Sequence, residues 1–107
     1  MALTRYHNIV GSVQPTVELI APGDGASGIA SVLIANIHAS NAATVTLFIQ
    51  KSSTNKTFKI INLLTIPAGA SFIVDEASVL SFNNSLSGFG LYITVGDSDT
   101  VDVFINF

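Results

Sequence analysis

Residues 29–51, IASVLIANIHASNAATVTLFIQK, decide the fold of this chain. In the second half of the stretch apolar and polar side chains alternate, with Val45, Leu47 and Ile49 in one phase and Thr44, Thr46 and Gln50 in the other. Alternation with period two and β-branched residues is typical of a half-buried strand. We therefore expect Leu47 to lie in the core and Thr46 to face solvent or a partner.

The first half of the stretch differs, because residues 32–37 are apolar in both phases. A strand with two apolar faces is expected to be covered on both sides. A short polar break, residues 40–43, separates the two halves. We predict that they form a β-hairpin at the middle of a sheet.

The rest of the chain contains further short strand patterns. Pro15, within residues 13–21, indicates an edge strand or a strand start, because proline donates no ladder hydrogen bond. The change of phase at Ile60 and Ile61 predicts a β-bulge. Residues 79–82 are predicted to form another short strand, and no segment shows a helical period.

About eight short strands at regular spacing predict an all-β fold: a two-sheet antiparallel β-sandwich, jelly-roll-like or immunoglobulin-like. We place the sandwich domain at residues 13–107. The preceding segment, residues 1–12, ends at Gly11 and Ser12 and is either a first strand or an arm. An arm would add to a neighbouring molecule by strand augmentation, and its candidate contacts are Arg5, Tyr6 and His7.

Composition excludes several classes of protein. The 107 residues suit one domain, and without cysteine there is no disulfide framework or thiolate metal site. No secretory signal is recognisable at the start, and no apolar run reaches the roughly 18 residues that cross a membrane, which favours folding in a cytoplasm without membrane insertion. With a net charge of −3 and four basic residues, nucleic-acid binding is not expected.

Charge is unusually sparse: 10% of residues are charged, against about 25% in an average soluble domain. Ser, Thr and Asn supply 29 residues and must provide most of the polar surface. Such a surface favours a protein that is partly covered by partners, and we expect a homo-oligomer, with a trimer favoured.

No reactive constellation stands out, so we expect no enzyme, no cofactor and no metal. His7 and His38 are far apart in sequence and suit polar positions at strand ends. The acidic segment Asp97, Asp99 and Asp102 lacks the glycine and closing glutamate of an EF-hand and is better explained as a turn. Asp75 and Glu76 suit a charged strand end that discourages edge pairing.

Several strand and turn motifs follow one another along the chain, in residues 17–22, 32–36, 40–47, 66–69 and 101–103. Their pattern is an apolar strand, an Asn, a small polar turn and a Thr-Val-Thr strand, followed later by Ile-Pro-Ala-Gly. Together these motifs resemble small β-sandwich proteins of tailed-phage virions. The resemblance covers roughly residues 13–107, most of the chain, and implies no catalytic residues.

The resemblance implies a structural virion protein that is assembled in the host cytoplasm and contacts the major capsid protein or other virion proteins. A capsid decoration (cement) protein is the first expectation, because a short single domain suits a part added to a finished shell. A neck, tail or fibre-associated component is the second. A carbohydrate-binding module is the rival from another class, and its aromatic platform would have to be Tyr6, Phe89 and Tyr92.

Overall fold

The computed structural model describes residues 4–25 and 28–107 as two four-stranded antiparallel sheets packed face to face. The β-sandwich prediction is therefore confirmed. In chain order the elements are β1 Arg5–Val10, β2 Thr16–Ile20, β3 Ser31–Asn36, β4 Ala43–Lys51, β5 Thr57–Ile66, β6 Ser71–Val74, α1 Ala77–Leu80, β7 Phe89–Val95 and β8 Thr100–Asn106. No helix of these residues is long and apolar enough to span a membrane.

Sheet A has the spatial order β1-β8-β3-β6, and sheet B has the order β2-β7-β4-β5. The antiparallel pairs β1·β8, β2·β7, β3·β6 and β4·β5 are nested, so that the first half of the chain pairs with the second half in reverse. Rolling such a long hairpin into two sheets gives a jelly roll. Of the jelly-roll-like and immunoglobulin-like sandwiches that the sequence predicted, the strand order matches the jelly roll.

The hairpin predicted between residues 32–37 and the strand that follows is wrong. β3 lies in sheet A and β4 in sheet B, so residues 37–42 cross between the sheets. Asn36, which is buried, holds this crossover: its Nδ2 donates to the carbonyl oxygens of Asn41 at 2.8 Å and Ile66 at 3.0 Å. Its Oδ1 accepts from the backbone amide of His38 at 3.0 Å.

The core lies between the sheets and is built from strand residues of one phase. Leu47, Ile93, Ile34 and Val103 are fully buried there, which confirms the predicted core position of Leu47. Thr46 lies in the opposite phase but is only 8% exposed, because the bulged part of β5 folds over it. Thr46 therefore does not face open solvent.

The irregularity predicted in β5 is confirmed, and the strand has a second one. The pairing register with β4 shifts twice, once on each side of the Leu47–Ile61 pair, so one irregularity falls at Ile60 and a second at Asn62 and Leu63. Leu63 has a φ of 55°, a left-handed conformation that is rare for a residue with a Cβ. β2 is an edge strand that begins just after Pro15, as proline at this point predicted.

The strand predicted at residues 79–82 is also wrong. Residues Ala77–Leu80 form a single helical turn, which buries Leu80 and leaves Val79 exposed. Four residues are too few for a helical period to be recognised, and the apolar pair Val79 and Leu80 suits a short strand equally well.

Candidate interaction surface

Four apolar side chains form a continuous row across the outer face of sheet A, one from each strand. Tyr6 pairs with Phe104, Phe104 pairs with Leu33, and Leu33 pairs with Ile73, so the row runs straight across the sheet. Tyr6 is 69% exposed and Ile73 is 52% exposed, while Phe104 and Leu33 are half-buried. We call this set the apolar row.

The apolar row is reinforced at one end and bordered by polar pairs. The Tyr6 ring meets the Phe104 ring edge to face, with 5.4 Å between their centroids. On one side Asn8 donates to Asp102 across 2.7 Å. On the other side Asn106 accepts from Thr4 and donates to Ser31, each across 3.0 Å. Because these polar groups bond to one another, the exposed part of the row is apolar with a satisfied polar border, as at many protein interaction sites.

β3 is the strand that the sequence predicted to be covered on both sides, and the described residues cover it on one side. Val32 and Ile34 are fully buried between the sheets, whereas Leu33 and Ala35 are half-exposed on the outer face. No described element of the chain packs over that outer face. The second apolar face of β3 is therefore available to another molecule.

The three residues expected to contact a partner do not share a face. Tyr6 points outward in the apolar row, while Arg5 and His7 have the same strand phase as buried Ile9. Arg5 forms an ion pair with Asp24, and its guanidinium lies 5.4 Å from the centroid of the Phe107 ring. β1 itself pairs along its whole length with β8, and Ile9 joins the core.

Burial shifts the acid–base behaviour of His7. Partial removal from water disfavours the imidazolium, and the nearby Arg5 guanidinium repels it, so the pKa of His7 lies below its usual value of 6.5. His7 is therefore predominantly neutral at pH 7 in the folded protein. It acts as a half-buried side chain beside the core, and Tyr6 is the exposed contact of the three.

The aromatic set that a carbohydrate-binding module would need is not assembled. Tyr6 lies on the outer face of sheet A, whereas Tyr92 lies on the outer face of sheet B. Phe89 packs against Phe58, with 5.9 Å between ring centroids. Because Tyr6 belongs to sheet A while Phe89 and Tyr92 belong to β7 of sheet B, the three rings form no common platform.

The other residues singled out in the sequence have structural contacts. Asp99 Oδ2 accepts from the backbone amide of Thr44 at 2.9 Å, and Asp102 accepts from Asn8. These two carboxylates therefore bond to different strands, β4 and β1. His38 Nδ1 accepts from the backbone amides of Ser40 and Asn41, each at 3.1 Å, inside the crossover. Within the described ranges, no three His, Cys, Asp or Glu side chains are grouped as a metal site would require.

The outer face of sheet B carries a different row. Glu18, Tyr92, Phe48 and Lys59 follow one another across β2, β7, β4 and β5. The Tyr92 hydroxyl donates to Glu18 across 2.8 Å, and the Tyr92 and Phe48 rings stack at 5.5 Å. Burial, that hydrogen bond and the Glu18 charge raise the pKa of Tyr92 to about 12.

A cavity of about 240 Å³ lies beside this row, and its lining includes Asn62 and Leu63, the residues of the second irregularity of β5. Phe48 and Leu63 are its main apolar residues, and Lys59 is its single charged one. We call it the β5 cavity. Sequence reasoning missed it, although the phase change at Ile60 and Ile61 was a signal that β5 is irregular.

No protein-family model matches this chain, and a search among curated proteins finds no match. No relative therefore supplies a function for either outer face. Function is therefore inferred from the chemistry and geometry of those faces, together with the resemblance carried by the strand and turn motifs.

Proposed function

We propose that this protein is a non-enzymatic structural component of a tailed-phage virion, and in the first place a capsid decoration protein that binds the assembled shell. The observation that carries the proposal is the apolar row on the uncovered outer face of sheet A. Exposed apolar surface bordered by polar groups favours protein–protein contact. The face is wide enough to involve all four strands of the sheet.

Two further features support this role. The first is the resemblance of the strand and turn motifs to small virion β-sandwich proteins. The second is the jelly-roll topology, which is used by many viral capsid proteins, although the same fold also carries lectins and enzymes. The scattered positions of Tyr6, Phe89 and Tyr92 weigh against the carbohydrate-binding alternative.

Immunogold electron microscopy tests the proposal directly. An antibody against the purified protein is applied to intact virus particles produced by the cells that encode the chain. Labelling spread over the head surface is expected for a decoration protein. Labelling confined to the neck, tail or fibres would refute the decoration role and support a neck, tail or fibre-associated component. Recovery of the protein only outside particles would refute the virion role.

A further inference from the structure

One positively charged side chain, the exposed Lys59, lines the β5 cavity. Among the described residues Arg5 is paired with Asp24, while the ammonium groups of Lys51 and Lys56 lie 5.9 and 5.7 Å from the centroids of the Phe89 and Phe58 rings. Lys59 is the basic residue that has neither an ion pair nor a cation–π contact within the described part of the chain. An ammonium beside an apolar cavity suits an apolar group that carries a carboxylate.

The same chain exposes such a group elsewhere. Asp75 and Glu76 follow β6 and lie beside the exposed apolar side chains of Ile73 and Val79. Neither carboxylate forms an ion pair within the described ranges. Glu76 accepts a hydrogen bond from the hydroxyl of nearby Ser78 across 3.0 Å. We call Ile73, Asp75, Glu76 and Val79 the acidic corner.

Other carboxylates are less suited to Lys59. Glu18, Asp24, Asp99 and Asp102 already accept hydrogen bonds from other elements or loops. Asp97 lies between Gly96 and Ser98 and has no apolar neighbour in sequence that could enter a cavity. The acidic corner therefore combines a negative charge, which complements Lys59, with exposed apolar side chains that suit the apolar lining of the β5 cavity.

One molecule cannot bring these two surfaces together. Ile60 and Ile61 line the lateral groove that contains the acidic corner, whereas Lys59 and Leu63 line the β5 cavity. β5 therefore stands between the two surfaces, with one on each side of it. A contact between them needs two molecules.

We propose that the acidic corner of one copy docks in the β5 cavity of a second copy, with Val79 and Ile73 against Phe48 and Leu63, and with Asp75 or Glu76 beside Lys59. The two contacting surfaces are different, so repetition of the contact closes into a ring or continues as a filament. A closed ring agrees with the small homo-oligomer expected from the sparse charge. The inference rests on the proposed structural role and names a second copy as the partner at this site.

A charge-reversal experiment tests the contact by sedimentation velocity over a range of concentrations. The wild-type protein is expected to self-associate. Lys59→Glu alone, or the pair Asp75→Lys and Glu76→Lys, places like charges together and should weaken association by about tenfold or more. A chain carrying all three substitutions should associate again, as should a mixture of the two defective proteins. Lys56→Glu is the matched control, because Lys56 lies over Phe58 and does not line the cavity.

Circular dichroism melting of every variant shows whether a loss of association reflects unfolding. A wild-type protein that stays monomeric up to millimolar concentration would overturn the proposal. Undiminished association of the single-site variants, or no recovery on combining them, would do the same. Particle labelling does not depend on the oligomeric state, so the virion role and this contact can fail separately.

Discussion

The backbone amide of Leu63 donates to the hydroxyl of Thr46 across 3.0 Å and so joins the irregular part of β5 to the outer face of β4. At this point β5 has two residues, Asn62 and Leu63, opposite one residue of β4. A β-bulge of this kind interrupts the ladder and bends the strand. The Thr46 hydroxyl replaces a ladder partner for Leu63, and both residues of the bulge line the β5 cavity.

Substituting Thr46→Val should lower the free energy of unfolding by about 0.5–1.5 kcal/mol, because it removes one hydrogen bond and keeps the shape of the side chain. Thr44→Val is the control, because Thr44 bonds to Asp99 through its backbone amide, which the substitution keeps. Urea unfolding measures both. Equal stability of the two variants would mean that the Leu63 amide gains nothing from the hydroxyl.

Replacing Leu63→Asn should raise the stability by about 1 kcal/mol, because asparagine tolerates the left-handed backbone better than leucine. Leu63 is 67% exposed, so little core packing is lost. Leu64→Asn serves as a comparison, because Leu64 packs against the core and its loss should be destabilising. Thermal melting distinguishes them, and a similar fall for both would show that Leu63 is held by packing.

Acidification should destabilise the fold through His7. Its folded-state pKa lies below 6.5, so the unfolded chain binds the proton more readily. The stability that neutral His7 contributes is therefore fully present above pH 6.5 and is lost as the pH falls through the folded-state pKa of His7. His7→Gln should flatten the melting temperature between neutral and mildly acidic pH, whereas His38→Gln should retain the His7 effect. An unchanged slope in His7→Gln would contradict this assignment.

The apolar row should matter for binding more than for folding. Changing Tyr6→Ser and Leu33→Ser together removes two members of the row that lie outside the acidic corner. The loss of the Tyr6–Phe104 ring contact should cost no more than about 1.5 kcal/mol. We expect co-sedimentation with virus particles stripped of the protein to be abolished. Val13→Ser, at an exposed position outside the row, is the control. Full binding by the double variant would remove the row from the proposed interface.

Deleting residues 2–10 should unfold the domain or lower its melting temperature steeply. The deletion removes core residue Ile9 and leaves β8 without its neighbour at the edge of sheet A. A melting temperature close to that of the full chain, measured by circular dichroism, would instead support the arm interpretation of this segment.

Local patterns were sufficient to predict the eight observed strands, with one false strand at residues 79–82, but not how the strands join. Val45 and Leu47 alternate with threonines, and burial between the sheets follows that phase. The crossover after Asn36 has the same small polar residues as a hairpin turn, so composition could not distinguish the two. The deciding hydrogen bond, from Asn36 to the carbonyl of Ile66, joins residues 30 positions apart. A periodicity argument cannot detect such a contact.

The candidate surface was only partly predictable for a similar reason. Tyr6 stood out as an exposed aromatic residue near the start of the chain, but its row partners Phe104, Leu33 and Ile73 come from three other strands. Their alignment depends on the register of three strand pairs, which local sequence does not reveal. The two apolar faces of residues 32–37 are the visible signal, and they predict a strand that is covered on both sides.

The nested pairing of the strands has a consequence for the order in which the protein folds. The β4·β5 pair is closed by a short loop, whereas β1·β8 joins residues as far apart as Arg5 and Ile105. Closing a long loop costs more entropy than closing a short one, and folding slows as contacts become more distant in sequence. We expect β4 and β5 to nucleate the fold and β1 to attach last. On the ribosome, β1 would then stay unpaired until β8 has left the exit tunnel.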